Sequence, residues 1–266
     1  MGGGNMGKAI IAGALRGGAR PSGIAVSEPD AKKREEFAGL GLGVFDRVQP
    51  AMEWLRAMPG EGQVLLAVKP QVFAEVARDA SAALAGLSCV VMSILAGVTS
   101  ERIERAIPGA RAVRLMPNLP AQVGMGVTAM CRGSGARVGD DVFARSLFES
   151  VGRVIEIDES LMDAFTAVAG SGPAYGFLLA EAMEAGARRV GFDGETARSI
   201  VLGTIRGAAE MMARSGDAPA DLRARVTSKG GTTEAALRAL DTGEIVARFE
   251  RAIEAARDRG RELAGW

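Results

Sequence analysis

Gly2-Gly3-Gly4-Asn5-Met6-Gly7, followed at once by Lys8-Ala9-Ile10-Ile11, is the stretch that decides the fold. Its glycines fall in a G-x-G-x-x-G spacing, and good helix sequence comes directly after them. That spacing lets the backbone turn tightly, approach a pyrophosphate closely and pack a helix against its neighbours, with the anion facing the helix N-terminus. Alone the pattern is weak, because a disordered tail can carry the same glycines. Two features downstream strengthen it. Residues 24–27 (IAVS) read as a short buried strand, and Glu28 stands 28 − 7 = 21 positions after Gly7, where a dinucleotide-binding unit places the acid that bonds ribose hydroxyls. Gly2, Gly4, Asn5, Met6, Gly7 and Glu28 are therefore candidate cofactor-binding residues. In such units the glycine turn follows a buried strand, but here the turn opens at residue 2. The sheet is expected to lack its first strand, through a start placed too late or a shortened chain.

Further along, short runs that are apolar almost throughout recur at 24–27, 64–68, 89–94, 112–116, 127–130 and 154–157, with helical stretches between them. Runs of this kind suit parallel strands covered on both faces. The alternation predicts an α/β layer fold, a Rossmann-type doubly wound sheet, over residues 1–158. After that the strand-like runs stop and Ala-rich segments with helical periodicity take over, so residues 159–266 read as an all-helical domain. Helices are expected over 161–190, interrupted at Ser171-Gly172-Pro173, and over 195–214 and 244–263. A polar glycine turn, VTSKGGTT, occupies 226–233 ahead of another helical run. Leu178, Leu179, Met183, Val201, Leu202, Ile205, Met211 and Met212 spread around the helices more broadly than one core requires, which predicts a dimer interface. The alternative is that they fill a core within the domain.

Composition removes whole mechanism classes. There is no histidine in the 266 residues, hence no His general base, no Ser-His-Asp triad and no His-ligated metal. Cys89 and Cys131 are the only cysteines, too few for a disulfide framework or a four-cysteine zinc site, and they suit a reducing cytoplasm. No metal site is expected. Lys plus Arg and Asp plus Glu both number 32, which argues against a nucleic-acid or anionic-membrane binder. No run is long enough for a membrane span, and the N-terminus lacks a signal-peptide layout. A cytoplasmic location is expected.

Six segments together resemble pyrroline-5-carboxylate reductases: GGGNMGKAI at 2–10, LLAVKPQ at 65–71, SILAGV at 93–98, RLMPN at 114–118, AGSGPAY at 169–175 and VTSKGGTTEAAL at 226–237. The last two are the specific ones. The resemblance spans essentially the whole chain and implies a Rossmann domain followed by a helical dimerisation and substrate-binding domain. It implies reduction of 1-pyrroline-5-carboxylate to L-proline, the last step of proline biosynthesis, by hydride transfer from NADPH or NADH. It also implies a homodimer able to assemble further, with a site shared between the two domains.

By the same resemblance the substrate carboxylate sits on Ser228, Gly230, Gly231, Thr232 and Thr233, with Thr233 hydrogen-bonding the ring nitrogen as the catalytic residue. Ala67, Val68, Lys69, Pro70, Ala96 and Asn118 meet the cofactor, and Glu159 lies near the substrate. Each has a plainer reading: VTSKGGTT as a helix N-cap with Thr232 or Thr233 capping, Lys69 as a solvated strand-end lysine, Glu159 as a first-turn carboxylate favoured by the helix dipole. The chain also departs from the family pattern. Leu119 replaces a threonine and Lys229 a proline, while Glu28 stands where NADPH-preferring members carry a small hydroxyl residue. A carboxylate repels a 2′-phosphate and accepts from a free 2′-hydroxyl, so the expectation leans to NADH or to dual use, with Lys32, Lys33 and Arg34 counteracting. Two rival functions remain: a catalytically impaired oligomeric binding protein on the same fold, and another nicotinamide-dependent imine or 2-hydroxyacid reductase. The second loses weight because 161–190 contains no lysine to serve as the interdomain acid or base.

Overall fold

The computed structural model describes residues 1–85 and 88–264. Helix α1 (Asn5–Arg16) follows the glycine turn directly, and strand β1 (Ala25–Ser27) takes the first apolar run. Then come α2 (Ala31–Ala38), β2 (Gly43–Phe45), α3 (Val48–Ala57), β3 (Gln63–Leu66), α4 (Phe73–Leu84) and β4 (Cys89–Ser93). They are followed by α5 (Ser100–Ala106), β5 (Ala110–Met116), β6 (Gly126–Arg132), α6 (Val142–Glu149) and β7 (Gly152–Glu156). The remainder is helical: α7 (Met162–Phe165), α8 (Gly172–Arg189), α9 (Gly194–Ser215), α10 (Pro219–Arg225), α11 (Thr232–Ala239) and α12 (Thr242–Ala264).

Every expected strand forms, and β2 is an addition. Gly43-Val44-Phe45 is too short to show a period; it is a strand because it pairs in parallel with β1, Val26 opposite Val44. The strands make two sheets, β1-β2 and β3-β4-β5-β6-β7. The expectation of parallel strands needs one correction, since β5 and β6 are antiparallel, with Leu115 opposite Met130. Only a short 3-10 turn, Leu119–Val123, links them, and a parallel return needs a longer crossover. The five-stranded sheet is covered on both faces except at its edge strand β7, whose residues are half-buried or exposed, a correction to the expectation for the run 154–157. Leu66, Phe73, Leu84, Val91, Ile103 and Ile107 belong to one buried cluster, which draws on α3, α4 and α5. Ile10, Met92, Leu115, Met130 and Phe148 belong to the other, which draws on α1 and α6.

Local chemistry sets the helix ends. Asp30, Thr99 and Asp193 cap α2, α5 and α9, each accepting from a first-turn amide such as Arg102 N on Thr99 Oγ1 at 3.2 Å. Gly216 ends α9 in the left-handed region at φ 71°, where a side chain would be strained. The segment 161–190 is interrupted as expected: α7 gives way to a π-helical turn at Thr166–Gly170, and α8 starts at Gly172. Pro173 then sits in the first turn, where its missing N–H leaves no bond unmade.

Two compact units result. One comprises Met1–Ser171 together with the end of α12 from Ala256, the other Gly172–Ala255. Residues 159–171 belong with the sheet because Met162 is buried beside Ala129 and Cys131, and Asn118 Nδ2 donates to Ala169 O at 3.1 Å. Among the described residues no helix is long and apolar enough to cross a membrane.

Candidate active site

In the first unit, hydrogen bonds draw the predicted cofactor residues to the carboxyl ends of the parallel strands. Gly2 N donates to Ser27 O at the end of β1 (2.9 Å), and Ala67 N, just past β3, donates to Met1 O (2.8 Å). Ile94 N, past β4, donates to Leu66 O (3.1 Å) and so brings the loop carrying Ala96 to the same edge. This edge is where open α/β sheets bind ligands. Gly2 has φ 92°, and a Cβ on it would stand 2.6 Å from Ala67 O; one on Gly7 would stand 2.7 Å from Gly2 O. Gly4 is the N-cap of α1 and faces open space, with no side chain capping the helix and no acid in its first turn. Backbone amides of Asn5, Met6 and Gly7 therefore open the helix beside a cradle that only glycine permits, which fits a dinucleotide pyrophosphate.

Glu28 is buried at the tip of β1. Its Oε2 accepts from Gly3 N (2.7 Å) and its Oε1 from Asp30 N (3.1 Å), with Lys33 Nζ 3.7 Å away. Arg34 donates to the carbonyls of Glu28 and Pro29 at 2.9 and 2.6 Å. The carboxylate thus braces the glycine turn, with the Lys33 and Arg34 cations beside it. Lys69 and Pro70 are exposed at the end of β3, while Ala67 and Val68 are half-buried. Ala96 is exposed. Asn118 is buried with both ends of its amide committed, Nδ2 to Ala169 O and Oδ1 accepting from Val127 N at 2.9 Å.

Glu159 lies in the first unit also, and its carboxylate is engaged by protein groups. Ser100 N donates to it at 2.7 Å, Ser100 Oγ donates as well, and Arg114 donates at 3.1 Å. Burial alone would push its carboxyl up, but the Ser100 and Arg114 bonds outweigh it and hold the carboxyl below the usual range. Both cysteines are buried and free. Burial, then the nearby Glu159, pushes the Cys131 thiol up to about 12, and burial raises that of Cys89, so neither is a ready nucleophile. Among the described residues no acidic or cysteine cluster could hold a metal.

In the second unit the predicted substrate residues form one turn. Gly231 N donates to Ser228 O (3.0 Å), Gly230 N donates to Glu234 Oε2 (2.8 Å), and Gly230 adopts φ 73°. The helix that follows is capped by Gly231 with no side-chain bond, so neither Thr232 nor Thr233 caps it. Both threonines lie inside the first turn, Thr233 half-buried, and the amides there have no partner within the helix. Sequence reasoning missed three residues in these sites. Gly3 carries the bond to Glu28, and Ser100 and Arg114 hold Glu159. An arginine inside the otherwise apolar run 112–116 was the available signal for Arg114.

A cradle for a dinucleotide at the carboxyl edge of a doubly wound sheet defines a nicotinamide-type oxidoreductase. A family profile described as NADP oxidoreductase, coenzyme F420-dependent, matches residues 1–97, and one described as pyrroline-5-carboxylate reductase dimerisation matches residues 159–263. The pyrroline-5-carboxylate reductase of Haemophilus influenzae is 39% identical over 99% of this chain and 96% of its own length. That of Pasteurella multocida is 36% identical over the same shares. A solved pyrroline-5-carboxylate reductase from Coxiella burnetii superposes with TM-score 0.88 at 33% identity, covering 98% of this chain and 96% of that one. A pyrroline carboxylate reductase from Plasmodium falciparum, solved with NADP bound, gives 0.86 at 27% identity over 99% and 96%. The chain belongs to the pyrroline-5-carboxylate reductase family.

Proposed function

We propose that this chain reduces 1-pyrroline-5-carboxylate to L-proline with NADH or NADPH, as the family resemblance implied. The observation that carries the reading is the turn 228–233: a helix start closed by glycine instead of a capping side chain, in a chain matched to these reductases along its whole length. Amides opening a helix suit the substrate carboxylate. When bound, the nicotinamide supplies the hydride. The imine carbon accepts it, the C=N π electrons move to the ring nitrogen, and that nitrogen carries or takes up one proton. No strong base is needed, which a chain without histidine can accommodate.

The chain's own groups hold and orient. Ser228, Gly230, Gly231 and Thr232 take the carboxylate, and the Thr233 hydroxyl bonds the ring nitrogen. A threonine hydroxyl is a poor acid in water, so most of the rate comes from positioning. Gly2, Gly4, Asn5, Met6 and Gly7 hold the pyrophosphate, with Ala67, Val68, Lys69, Pro70 and Ala96 on the nicotinamide side. Asn118 and Glu159 act by positioning: the first ties 118 to 169 and 127, the second locks Ser100 to Arg114. Glu28 favours NADH, and Lys33 and Arg34 leave NADPH admissible.

Residues 1–158 serve the cofactor, and 159–266 serve the substrate and dimerisation. The second unit buries only Ala197 and Val201 among the described residues, while Phe177, Leu178, Leu179 and Leu202 are more than half exposed. A homodimer would cover them. The enzyme works in the cytoplasm, with its two buried thiols reduced. Steady-state oxidation of NADH and of NADPH with 1-pyrroline-5-carboxylate tests the reading. Turnover is expected with at least one of them; a folded protein that binds the nucleotide and turns over neither would overturn it.

A further inference from the structure

The turn ahead of α11 commits two of its own amides before any ligand arrives. Gly231 N donates to Ser228 O (3.0 Å), and Gly230 N donates to Glu234 Oε2 (2.8 Å). The first bond of the helix itself runs from Ala235 N to Gly231 O (3.2 Å), so the amides of Thr232 and Thr233 lie ahead of the ladder and have no partner within it. A Cβ on Gly231 would stand 2.5 Å from Ser228 Oγ, so that hydroxyl leans on the helix start only because residue 231 is glycine.

Glu234 is the unusual member. A first-turn glutamate with an arginine four residues on is ordinary helix chemistry, and at the third helical position it commonly reaches back to the amide of the N-cap. Here the N-cap is Gly231, whose amide is already taken by Ser228 O, and Glu234 reaches one residue further, to Gly230. Gly230 is the left-handed residue of the turn, at φ 73°. Arg238 stands 3.1 Å from the same Oε2 that holds the Gly230 amide. A carboxylate arriving at this helix start meets the Glu234 charge, and Arg238 offsets that repulsion.

We propose that Glu234 is a positioning residue for the substrate carboxylate. By fastening the Gly230 amide it fixes the left-handed turn and keeps the Thr232 and Thr233 amides and the Ser228 hydroxyl in place for the ligand. Gly230 and Gly231, whose amides are spent inside the turn, serve by shape. The inference rests on the proposed reduction of 1-pyrroline-5-carboxylate and names what holds its carboxylate site in form.

Three substitutions separate the parts of this role. Glu234→Ala removes the acceptor, Glu234→Gln keeps an acceptor oxygen without the charge, and Glu234→Asp keeps the charge at the helix start but falls a methylene short of Gly230. Alanine and aspartate are each expected to raise KM for 1-pyrroline-5-carboxylate about tenfold, with kcat within about threefold. Both should also speed hydrogen exchange at the Gly230 amide about tenfold, and glutamine should recover most of both losses. A purely structural role would lower the urea midpoint and leave KM unmoved. An unchanged KM in the aspartate variant, which keeps the helix-end charge if alanine fails to fold, would overturn the proposal, as would unchanged exchange at Gly230 or a KM rise that glutamine does not reverse. Absence of turnover in the unsubstituted chain would strike the proposed function itself, and the positioning role with it.

Discussion

The two units answer the same demand, burial of apolar surface, in opposite ways. In the first, a central sheet gives every helix something to cover, and Phe148, Ile10 and Leu115 lose essentially all their exposure within one chain. In the second, Ala197 and Val201 are the only residues buried among those described, and Phe177 stays 62% exposed. A layered α/β unit can close its own core, whereas helices hydrophobic on more than one side need a second surface. That need is legible in one protomer's exposure and agrees with the dimerisation profile over 159–263.

The contrast breaks most sharply at its phenylalanines. Phe148→Ala is expected to cost about 3–5 kcal/mol in urea unfolding at any protein concentration. Phe177→Ala should cost stability only in a concentration-dependent way, through the dimer. A concentration-independent loss of several kcal/mol at Phe177 would show that one chain buries it and would erase the difference between the units.

The next effect belongs to the first unit alone. Burial lowers the Met1 amine from 8.0 to about 6, against the opposing pull of the Glu28 carboxylate. The unfolded chain then binds more protons between those values, so stability should rise as pH climbs from about 6 to about 8, by roughly 3 kcal/mol. Urea midpoints across that range check it, and a flat profile would deny that the amine is buried. Acetylating the amine should flatten the profile if it does not unfold the chain.

Function sharpens the comparison on a smaller scale. Thr233→Ala in the second unit is expected to lower kcat by about 10- to 100-fold, or about 1.4–2.8 kcal/mol in barrier, with nucleotide binding to the first unit nearly unchanged. A large loss of nucleotide affinity would remove Thr233 from the substrate side. Glu28→Ser should shift the NADPH-to-NADH preference upward by about tenfold, or ~1.4 kcal/mol. It should weaken both nucleotides somewhat, because the buried Gly3 amide loses its acceptor. The smallest effect is expected at Glu159. Its carboxyl is held low, so its stabilisation is present above the ordinary carboxylate pKa and is lost as pH falls through the folded value. Glu159→Gln should flatten the acid limb of the stability profile, and an unchanged limb would mean the Ser100 and Arg114 bonds contribute nothing.

Patterns with a period were readable and pairings between distant residues were not. The runs at 89–94 and 112–116 announced buried strands because they are apolar almost throughout. Gly43-Val44-Phe45 carried no such agreement and became a strand only by meeting β1. For the sites, the glycine spacing with Glu28 behind it pointed to a nucleotide cradle, and at Gly2 and Gly7 a Cβ is excluded by the carbonyls of Ala67 and Gly2, whereas Gly4 faces open space. The reading of Glu159 as a residue near substrate or at a helix start missed its partners, since Ser100 is 59 positions away and Arg114 is 45.

By itself the sequence determined the class of chemistry, the α/β-then-helical order, the interruption before Pro173 and the family. All of these rest on residue types and spacings, and local backbone preference needs no distant partner to express them. Tertiary structure alone decided that β5 and β6 run antiparallel, that Glu28 braces the glycine turn, and that Gly231 rather than a threonine caps α11. Those outcomes depend on which surfaces meet and how closely, and the free energy of meeting is a property of pairs of segments that neither segment carries alone.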